Sequence, residues 1–447
     1  GNLVAEARPA AARANATAKR QVVSVVDYLS RVAADEGAHA KGLWLPPLPE
    51  MLYVDELELK YGRDLLGRTG LFGVVGEIDD PENQSQRPLV LSLDEGGLIV
   101  YGAAGSGKFT FVSALLYSLI RRRSPEELNV YIADFGAETF SAFRGTPHVG
   151  DVVLANETEK VVNLFKMLRE ELSRRRKLFA AWGGSIDLYR REGGEPIPDI
   201  VVAIHGMAGF YELFEKLEGQ LNALTREGTK FGIHFILTSA SANTVRFRLA
   251  QNFRQQVVLR MNDAAEYTAV LGFQPAVVPA RKRGRGLVVE GKRALEFQTA
   301  HPGASNPDVF SFIRMFSASL EQMAGARAPR IPILPDRVGA AFFQGSLGDL
   351  AAFPVGVARR DLSQATVDLT QTPISFALSS DRDRLNVFTV ELARALADGG
   401  HDPVVLDPDG TLDGLDGVRR IVGQAECADQ LARIALEGSQ LAGKVYI

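Results

Sequence analysis

The feature that most constrains the fold is a glycine-rich loop between a strand pattern and a helical pattern. The apolar run Leu98–Tyr101 precedes the loop, and Phe109–Ile120 follows with helical spacing. A G-x-x-x-x-G-K motif in this setting is typical of a polyphosphate-binding loop, because its backbone N–H groups converge and its lysine adds a full charge. The structural alternative is a glycine-rich helix cap with a chance lysine, and the combined spacing and setting favour the phosphate loop. Its residues are Gly102, Ala103, Ala104, Gly105, Ser106, Gly107 and Lys108.

The residue after the lysine does not fit a working metal site. The consensus places Ser or Thr there, whose hydroxyl ligates Mg²⁺, but this chain has Phe109. Thr110 completes the predicted nucleotide-binding segment but cannot replace that ligand, because successive helical residues are rotated by about 100°. We therefore predict that the loop binds ATP beside a damaged Mg²⁺ site. The Phe109 ring either folds over the loop and blocks the γ-phosphate region or packs into a neighbouring core.

The second half of an ATPase site, an apolar strand that ends in carboxylates, is also altered. The candidate strand is Ile200–Ile204, and it ends in His205 and Gly206 where two acids are expected. Loss of a general base alone slows a reaction by about 10²–10⁴-fold, so we predict little or no ATP hydrolysis. His205 is either a replacement base or a hydrogen-bonded residue at the strand end. Asp199 precedes the strand, about 16 Å from the required position, and cannot supply the missing acid.

Two polar residues at neighbouring strand ends are candidate sensors of the nucleotide. Asp134 follows the predicted strand Val130–Ala133, and Thr238 ends the predicted strand Phe235–Thr238. Because the carboxyl ends of parallel strands meet at one edge of a sheet, both side chains can lie near the phosphates. The structural alternatives are a turn-capping aspartate and a hydroxyl that caps a strand end. The sequence leaves these alternatives open.

Between Arg68 and about Ala300, short β-rich runs alternate with long helical patterns. This alternation indicates a mostly parallel sheet that is flanked by helices, so we predict an α/β fold. An antiparallel pair of strands closes the predicted unit. The further predicted elements are the strand Gln256–Arg260, the helices Thr158–Ala180, Tyr211–Glu227 and Asp263–Leu271, and the antiparallel strands Gly286–Glu290 and Ala294–Thr299.

The length of 447 residues is about three times that of a common domain, so we expect more than one domain. Residues 1–60 are predicted to be an interdomain linker that includes a short helix at Val22–Val32. Residues 61–325 are predicted to form the domain that carries the glycine loop. Residues 326–447 are predicted to form part of a second α/β unit that is incomplete.

Two proline-bearing segments mark the predicted linkers. In the first, the prolines exclude a helix and favour an extended chain, with Trp44, Leu45 and Leu48 docked into apolar slots. The second, Arg327–Asp336, is similar in composition and precedes another strand–turn–helix pattern, which indicates an internal repeat. The elements predicted in this second unit are a strand at Ile374–Leu378, a helix at Arg384–Asp398 and a strand at Val404–Asp407.

Several strings of residues carry a family resemblance. The most specific are W-L-P-P-L-P-E at residues 44–50 and G-E-I-D-D-P-E-N-Q at residues 76–84. The glycine loop, D-F-G-A-E at 134–138, P-H-V-G-D at 147–151 and G-I-H at 232–234 add to them. Together they resemble the FtsK/SpoIIIE motor ATPases, and most closely the EssC/EccC group of type VII (ESX/WXG100) secretion motors. The likeness extends over nearly the whole chain.

The resemblance implies tandem P-loop domains of the RecA/FtsK type, of which this chain covers the second and part of the third. It implies a cytoplasmic portion of a membrane-anchored protein, since the family's ATPase domains follow membrane helices. The implied partners are the other ATPase domains of the same chain, WXG100/ESX-type secretion substrates and the membrane secretion complex. Because the later domains of this family are often degenerate, the expected roles are regulation, assembly and substrate docking.

In the second unit the glycine loop is missing. Where the motif would follow the predicted strand, the chain reads Ser379-Ser380-Asp381-Arg382-Asp383-Arg384-Leu385-Asn386. Asp381 and Asp383 would repel a polyphosphate, so we predict that this position does not bind nucleotide.

The charge balance argues against nucleic acid as a partner. Lys and Arg number 50 and Asp and Glu 54, a net charge of −4. The basic runs at residues 121–123, 174–177 and 281–285 are explained as helix ends, solvated faces and a loop. We expect no DNA binding, and a DNA translocase and an active ATPase are kept as the alternatives. The single cysteine, Cys427, excludes an intramolecular disulfide and a cysteine-cluster metal site.

Overall fold

The computed structural model describes residues 21–37, 45–323, 325–335, 338, 340–343, 346–358, 362–371, 377–437 and 444–447. Short 3-10 turns connect several of the regular elements. The helices are α1 (Gln21–Asp35), α2 (Val54–Lys60), α3 (Gly62–Leu65), α4 (Lys108–Ile120), α5 (Thr158–Ala180), α6 (Ile186–Arg191), α7 (Met207–Phe214), α8 (Glu218–Glu227), α9 (Phe247–Ala250), α10 (Ala264–Leu271), α11 (Val309–Met323), α12 (Arg382–Asp398) and α13 (Gln424–Glu437). The strands are β1 (Phe72–Asp80), β2 (Ser85–Ser92), β3 (Leu98–Tyr101), β4 (Leu128–Asp134), β5 (Val149–Leu154), β6 (Asp199–His205), β7 (Ile233–Ser239), β8 (Gln255–Leu259), β9 (Arg285–Glu290), β10 (Arg293–Thr299), β11 (Phe353–Val357), β12 (Gln364–Val367), β13 (Asp402–Asp407), β14 (Arg419–Val422) and β15 (Lys444–Tyr446).

Within the described residues, ten strands form one sheet in the order β2-β1-β10-β9-β8-β3-β7-β6-β4-β5. The section from β8 to β5 is parallel, and β9, β10, β1 and β2 extend it with antiparallel pairs. The predicted α/β fold with a mostly parallel sheet is therefore confirmed. The carboxyl ends of the parallel strands share one edge, and the glycine loop leaves β3 at this edge.

Helices cover both faces of the sheet. The apolar side chains of α4 and α11 pack on one face, and those of α5, α7 and α8 pack on the other. Every residue of β3 and β4 is buried, as expected for inner strands of a parallel sheet that is covered on both sides. The glycine loop therefore stands on a rigid scaffold.

The predicted strands in this sheet and the antiparallel pair are confirmed, with ends that differ by at most two residues. The predicted helix Tyr211–Glu227 is wrong as one continuous element. It begins earlier, at Met207, and a 3-10 turn at Glu215–Leu217 divides it into α7 and α8. Phe214 and Leu217, which lie on either side of the start of this turn, are both buried.

Three strands of the sheet, β1, β2 and β5, were not predicted from the sequence. In β1 the apolar pattern is interrupted by Glu77, whose side chain is nevertheless buried. Lys60 Nζ lies 2.6 Å from the Glu77 carboxylate, and the Tyr61 hydroxyl donates to the same oxygen. A buried acid is tolerated when it is paired in this way, so a simple count of apolar residues misses the strand.

The segment after residue 377 contains a smaller sheet in the order β14-β13-β15, with parallel pairs on both sides of β13. The helix α12 and strand β13 confirm the predictions at Arg384–Asp398 and Val404–Asp407. The predicted strand Ile374–Leu378 lies partly outside the described residues, and its described residues, Ala377 and Leu378, are not in a strand.

The first proline-bearing segment contacts the large sheet through Leu48. This side chain is 3% exposed, and the Leu48 carbonyl accepts a 2.9 Å hydrogen bond from the Arg285 guanidinium. Leu45 remains 42% exposed, which does not match the predicted docking of this residue. Of these two leucines, Leu48 is therefore the one that makes the buried contact. Trp44 lies outside the described residues.

The second proline-bearing segment runs along the opposite end of the large sheet. The Ala328 N–H donates to the Pro147 carbonyl at 2.7 Å, and the Tyr131 hydroxyl donates to the Pro329 carbonyl at 2.8 Å. The Asn163 amide donates to the carbonyl of Pro332, also at 2.8 Å. These contacts hold the segment against β4, β5 and α5. The predicted helix at Val22–Val32 is confirmed as α1, and none of its described side chains is buried.

Candidate nucleotide site

The glycine loop is hydrogen-bonded to the chain at the ends of β7 and β8, the two strands that flank β3. The Gly102 N–H donates to the Ser239 carbonyl at the end of β7 at 3.0 Å, and the Ala103 N–H donates to the Arg260 carbonyl beyond β8 at 2.8 Å. Both bonds use backbone groups, so they hold the loop whatever side chains it carries. Within the loop, the Ser106 N–H donates to the Ala103 carbonyl at 3.2 Å. The N–H groups at a helix start, here that of α4, can donate to a polyphosphate.

Two glycines of the loop adopt backbone conformations that other residues rarely adopt. The φ angles are +70° at Gly105 and +109° at Gly107. A Cβ atom on Gly105 would meet nothing within 4 Å, so the loop is open on that side. A Cβ atom on Gly107 would lie 2.9 Å from the backbone nitrogen of Gly284, which leaves no space there. The loop thus has one open and one closed side.

Lys108 is folded back on the loop. Its ammonium donates to the Gly102 carbonyl and, at 3.0 Å, to the Ala103 carbonyl. Burial lowers the pKa of Lys108, because the charged form is partly removed from water. The Ser106 hydroxyl is buried and finds no hydrogen-bond partner among the described residues. A polyphosphate would give the lysine a stronger partner than two carbonyl groups, so these residues fit an anionic ligand.

The Phe109 ring packs into the core. It lies 5.0 Å from the ring of Phe140, measured between centroids, in an edge-on arrangement. Of the two possibilities raised by the sequence, the geometry therefore favours core packing over a ring that covers the loop. Thr110 is buried in the first turn of α4. Within the described residues, no group of three or more His, Cys, Asp or Glu could hold a metal ion. At the consensus position for the Mg²⁺ ligand, Phe109 offers no oxygen atom.

The end of β6 places His205 and Gly206 where the catalytic carboxylates were expected. The parallel register aligns His205 with Asp134 on β4 and with Thr238 on β7. The Thr238 hydroxyl lies 2.8 Å from His205 Nδ1 and accepts a 3.0 Å hydrogen bond from the Gly206 N–H. On the other side, the Phe140 ring lies 5.0 Å from the imidazole. His205 therefore sits between a hydroxyl and an aromatic ring.

Burial lowers the pKa of His205. The nearby Asp134 carboxylate opposes this effect, and the charge of Lys108 adds to it. A lowered pKa keeps the imidazole neutral at pH 7. The described contacts agree with the interpretation of a hydrogen-bonded histidine at a strand end, and a neutral imidazole cannot reproduce the charge of two acids.

Asp134 has two backbone partners. Its carboxylate accepts hydrogen bonds from the Gly136 N–H at 2.9 Å and from the Phe140 N–H at 3.1 Å. It therefore caps the turn after β4 and also fixes the start of the segment that carries Phe140. Asp199 lies at the other end of β6, where Arg190 approaches its carboxylate to 3.1 Å. As predicted, Asp199 is far from the glycine loop.

The comparisons with known proteins agree with this arrangement. Residues 74–294 match the model of the FtsK/SpoIIIE family. This segment is an FtsK/SpoIIIE domain. The type VII secretion system protein EssC of Staphylococcus aureus (strain MRSA252) is 24% identical over 384 residues, which are 82% of this chain and 26% of that protein. The ESX secretion system protein EccC of Geobacillus thermodenitrificans (strain NG80-2) is 27% identical over 397 residues, 86% of this chain and 26% of that protein.

Two solved structures support the same fold. One contains ATPases 2 and 3 of EssC from Geobacillus thermodenitrificans, with a TM-score of 0.72 and 24% identity over 89% of this chain and 77% of that chain. Another contains ATPases 2 and 3 of EccC from Thermomonospora curvata with a signal sequence peptide, with a TM-score of 0.62 and 22% identity over 89% of this chain and 76% of that chain. The chain spans about a quarter of the length of the curated relatives it matches. Among the described helices, none has the length and apolar character needed to cross a bilayer.

One neighbour of the nucleotide loop in the FtsK/SpoIIIE domain was missed in the sequence. The residues Arg281–Arg285, called the basic turn here, lead into β9 and contact the loop through Gly284. The Gly284 N–H donates to the Ser106 carbonyl at 2.9 Å. From the sequence, this run is predicted to be a loop before a strand, with DNA binding as the alternative, and not a neighbour of the glycine loop. A glycine inside a basic run was the available signal, since such a glycine often marks a close backbone approach.

The other two basic runs of the FtsK/SpoIIIE domain contain arginines that pair with acidic side chains. At the end of α4, Arg121 pairs with Asp55, and Arg122 approaches Glu58 to 3.0 Å. In α5, Arg175 is 1% exposed, and its guanidinium lies 2.7 Å from the Glu171 carboxylate. These cations stabilise the fold and do not form a free basic surface.

Proposed function

We propose that this chain is a cytosolic ATPase-type module of a type VII secretion motor, which binds ATP and hydrolyses little or none of it. In this proposal the bound nucleotide orders the module, and the module serves regulation, assembly and substrate docking. Residues 61–325 and 326–447 would be two such units that follow a linker at residues 1–60. The observation that carries the proposal is an intact glycine loop beside a Phe109 ring that packs on Phe140.

ATP binding is supported by the geometry of the loop. The open side at Gly105, the unpartnered Ser106 hydroxyl and the half-buried ammonium of Lys108 lie around the start of α4. When bound, ATP would supply negative charge that the loop N–H groups, the helix N-terminus and Lys108 can stabilise. Gly102–Thr110 is the proposed binding segment. Asp134 and Thr238 are proposed as residues that respond to the nucleotide through His205.

Low hydrolysis is supported by what replaces the catalytic groups. Phe109 offers no oxygen to a metal ion, and the end of β6 offers a neutral His205 and a glycine. A positioned general base contributes typically about 10²–10⁴-fold to a rate, so its absence leaves a slow reaction. The Phe140 ring also occupies space next to the imidazole, which disfavours an ordered attacking water on that side.

The place in a secretion motor is supported by the relatives, whose names are type VII secretion system protein EssC and ESX secretion system protein EccC. The proposed partners are the other ATPase domains of a longer chain, WXG100/ESX-type substrates and a membrane secretion complex. A docking role is supported by the two proline-bearing segments, which contact the domain at Leu48 and at Pro329. We propose no DNA partner, because the basic runs in α4 and α5 are paired internally.

A thermal-shift experiment on the chain of residues 1–447 tests the binding claim. We expect ATP and ADP to raise the melting temperature with or without Mg²⁺, since a ligand at a hundredfold excess over its Kd stabilises by about 2.7 kcal/mol. Lys108→Ala should remove the rise. Lys166→Ala, which changes a lysine on the surface of α5, is the matched control and should retain it. A wild-type chain with no ligand-dependent rise would contradict the proposal.

Steady-state phosphate release separates the proposal from an active ATPase. We expect a rate at the level of the Lys108→Ala variant. Several turnovers per minute that Lys108→Ala abolishes would support the active enzyme instead. A gel shift on duplex DNA at increasing salt decides the translocase alternative, which requires a complex that weakens steeply as salt rises.

A further inference from the structure

The basic turn forms a wall of the nucleotide loop. Besides the hydrogen bond from Gly284 to Ser106, the turn packs directly on the start of α4. A Cβ atom on Gly107 would lie 2.9 Å from the Gly284 nitrogen and 3.6 Å from Cγ of Arg283. The aliphatic part of the Arg283 side chain therefore begins beside the residue that opens the helix. A guanidinium on this stem lies within reach of an anion that is bound at the loop.

Among the described residues, two cations of the basic turn are held by partners, and Arg283 is not. Lys282 lies 2.8 Å from the Glu50 carboxylate. Arg285 is 4% exposed and donates to the Gln298 side chain at 2.9 Å. Arg283 is exposed, and within the described part of the chain its guanidinium has no hydrogen bond or ion pair. Arg281 is exposed as well, but Arg283 is the residue whose Cγ lies 3.6 Å from a Cβ position on Gly107.

The negative charge of a nucleotide bound at the loop would need more than the charge of Lys108 to balance it, and Arg283 can supply part of the difference. A nucleoside triphosphate carries several negative charges, which a divalent cation normally shares with the loop lysine. Here the metal-ligand position is Phe109, so Lys108 and the helix N-terminus face the phosphates without that cation. A second protein cation beside the loop would lower the repulsion between phosphates. Arginine suits this role because its planar fork binds two phosphate oxygens at once.

The order of the sheet indicates which end of the nucleotide the turn faces. In β9-β8-β3-β7-β6, the altered catalytic strand β6 lies on one side of β3, and β9, which follows the basic turn, lies on the other. The terminal phosphate of an ATPase site points toward the strand with the catalytic acids. The basic turn therefore lies nearer the nucleoside end.

We propose that Arg283 is a nucleotide-contacting residue that binds phosphate oxygens near the nucleoside and partly replaces the missing divalent cation. This inference rests on the proposed binding of ATP at Gly102–Thr110. It assigns the ligand class as nucleoside di- and triphosphates. Because both share the phosphates near the nucleoside, Arg283 contributes equally to ADP and ATP.

The test measures the Kd of fluorescent ADP and ATP analogues by anisotropy, with residues 1–447 and with EDTA present. We expect Arg283→Ala to weaken both nucleotides by about tenfold, which is the size of one charge-assisted hydrogen bond. Arg281→Ala is the matched control, since Arg281 is an exposed cation of the same turn, and it should change neither Kd by more than about twofold. Arg283→Lys should recover part of the affinity.

The outcomes separate this inference from the proposed function. If Lys108→Ala abolishes binding while Arg283→Ala leaves both Kd values unchanged, Arg283 has no role and ATP binding stands. If the wild-type chain binds neither nucleotide, the proposed function fails, and this inference fails with it. A loss confined to ATP would overturn the assignment to the nucleoside end. Arg283→Ala should melt at the wild-type temperature without nucleotide, because the side chain is exposed.

Discussion

The helices α4 and α12 begin in opposite ways, although the sequence places a strand and a turn before each of them. α4 follows Gly107, and among the described residues no side chain caps its first turn. α12 follows Asp381, whose carboxylate accepts a 3.2 Å hydrogen bond from the Arg384 N–H, and Asp383 lies in the first turn. Either a side-chain carboxylate or an external anion can satisfy a helix N-terminus. One helix start is therefore open to a phosphate, and the other is already occupied.

The two helices also differ in burial. Every residue of α4 from Thr110 to Ile120 is buried, whereas the buried residues of α12 are Val390, Ala393 and Leu396. A helix that is held on all sides fixes the position of its first turn, which a binding loop needs. The burial of α4 therefore gives its first turn the fixed position that a binding loop needs, and α12 lacks comparable burial.

The largest expected effect concerns the core that anchors α4. Phe140 is fully buried and contacts Phe109 and His205, so Phe140→Ala should lower the free energy of unfolding by about 3–5 kcal/mol. Phe247→Ala is the control, since that ring is 77% exposed and its loss should change stability by less than about 0.5 kcal/mol. Urea unfolding of both variants measures the difference. Equal effects would mean that the aromatic contacts do not anchor the site.

A smaller effect is expected from pH. Burial lowers the pKa values of His148, His205 and His301 below the ordinary value of 6.5. As the pH falls below 6.5, the unfolded chain binds protons at these positions that the folded chain does not bind. The free energy of unfolding should therefore fall, by about 1.4 kcal/mol for each pKa unit of depression.

Urea midpoints at pH 7.5, 6.5 and 5.5 measure this dependence. His205→Gln removes one of the three groups, so the loss of stability on acidification should be smaller in this variant than in the wild type. A chain that becomes more stable between pH 6.5 and 5.5 would contradict the prediction. All three histidines lie in the first unit, so the pH dependence should come from that unit.

The next largest effect on stability is expected from the N-cap of α12, Asp381. Asp381→Ala should destabilise the second unit by about 1 kcal/mol, because an N–H of the first turn loses its partner. Asp413→Ala changes an exposed aspartate of the same unit and is the matched control. Chemical unfolding gives the size of the effect. An Asp381→Ala variant that is as stable as the wild type would break the comparison between the two helices, because the carboxylate would then not be what satisfies the start of α12.

The smallest expected effect is an increase in stability. Ser106→Ala removes a buried hydroxyl that lacks a partner, so the nucleotide-free chain should gain up to about 1 kcal/mol of stability. Thr225→Ala removes a buried hydroxyl that donates to the Leu221 carbonyl, and it should lose stability. Thermal unfolding of the two variants shows whether each gains or loses stability. A Ser106→Ala variant that is less stable than the wild type would mean that the hydroxyl has a partner in solution.

The parts of the site that the sequence predicts are those made by neighbouring residues. Strand, loop and lysine lie within eleven residues, Leu98 to Lys108, so their spacing reveals the loop and its strand. The departures from the consensus at Phe109 and His205 can also be read from the sequence, because each residue directly follows its motif. Such local patterns also predict most strands of the parallel section, because a buried inner strand is a continuous apolar run.

The contacts that the sequence does not reveal join distant residues. Phe140 lies 31 positions after Phe109, and Gly284 lies far from Ser106, so no local spacing connects them. The strand β1 was hidden because its buried Glu77 is paired with residues before the strand. A polar side chain can be buried when a hydrogen-bond or ion-pair partner lies beside it, and the fold is what identifies that partner.

The backbone at the end of β6 restricts which residues can occupy the position after His205. Gly206 has a φ of +86°, and a Cβ atom there would lie 3.2 Å from the Phe135 carbonyl carbon. A glutamate at this position would thus be strained even before it met a substrate. A threonine in place of Phe109 would in turn leave Phe140 without its edge-on neighbour. Each of these two positions is tied to a neighbour, so a consensus residue at either one would cost stability.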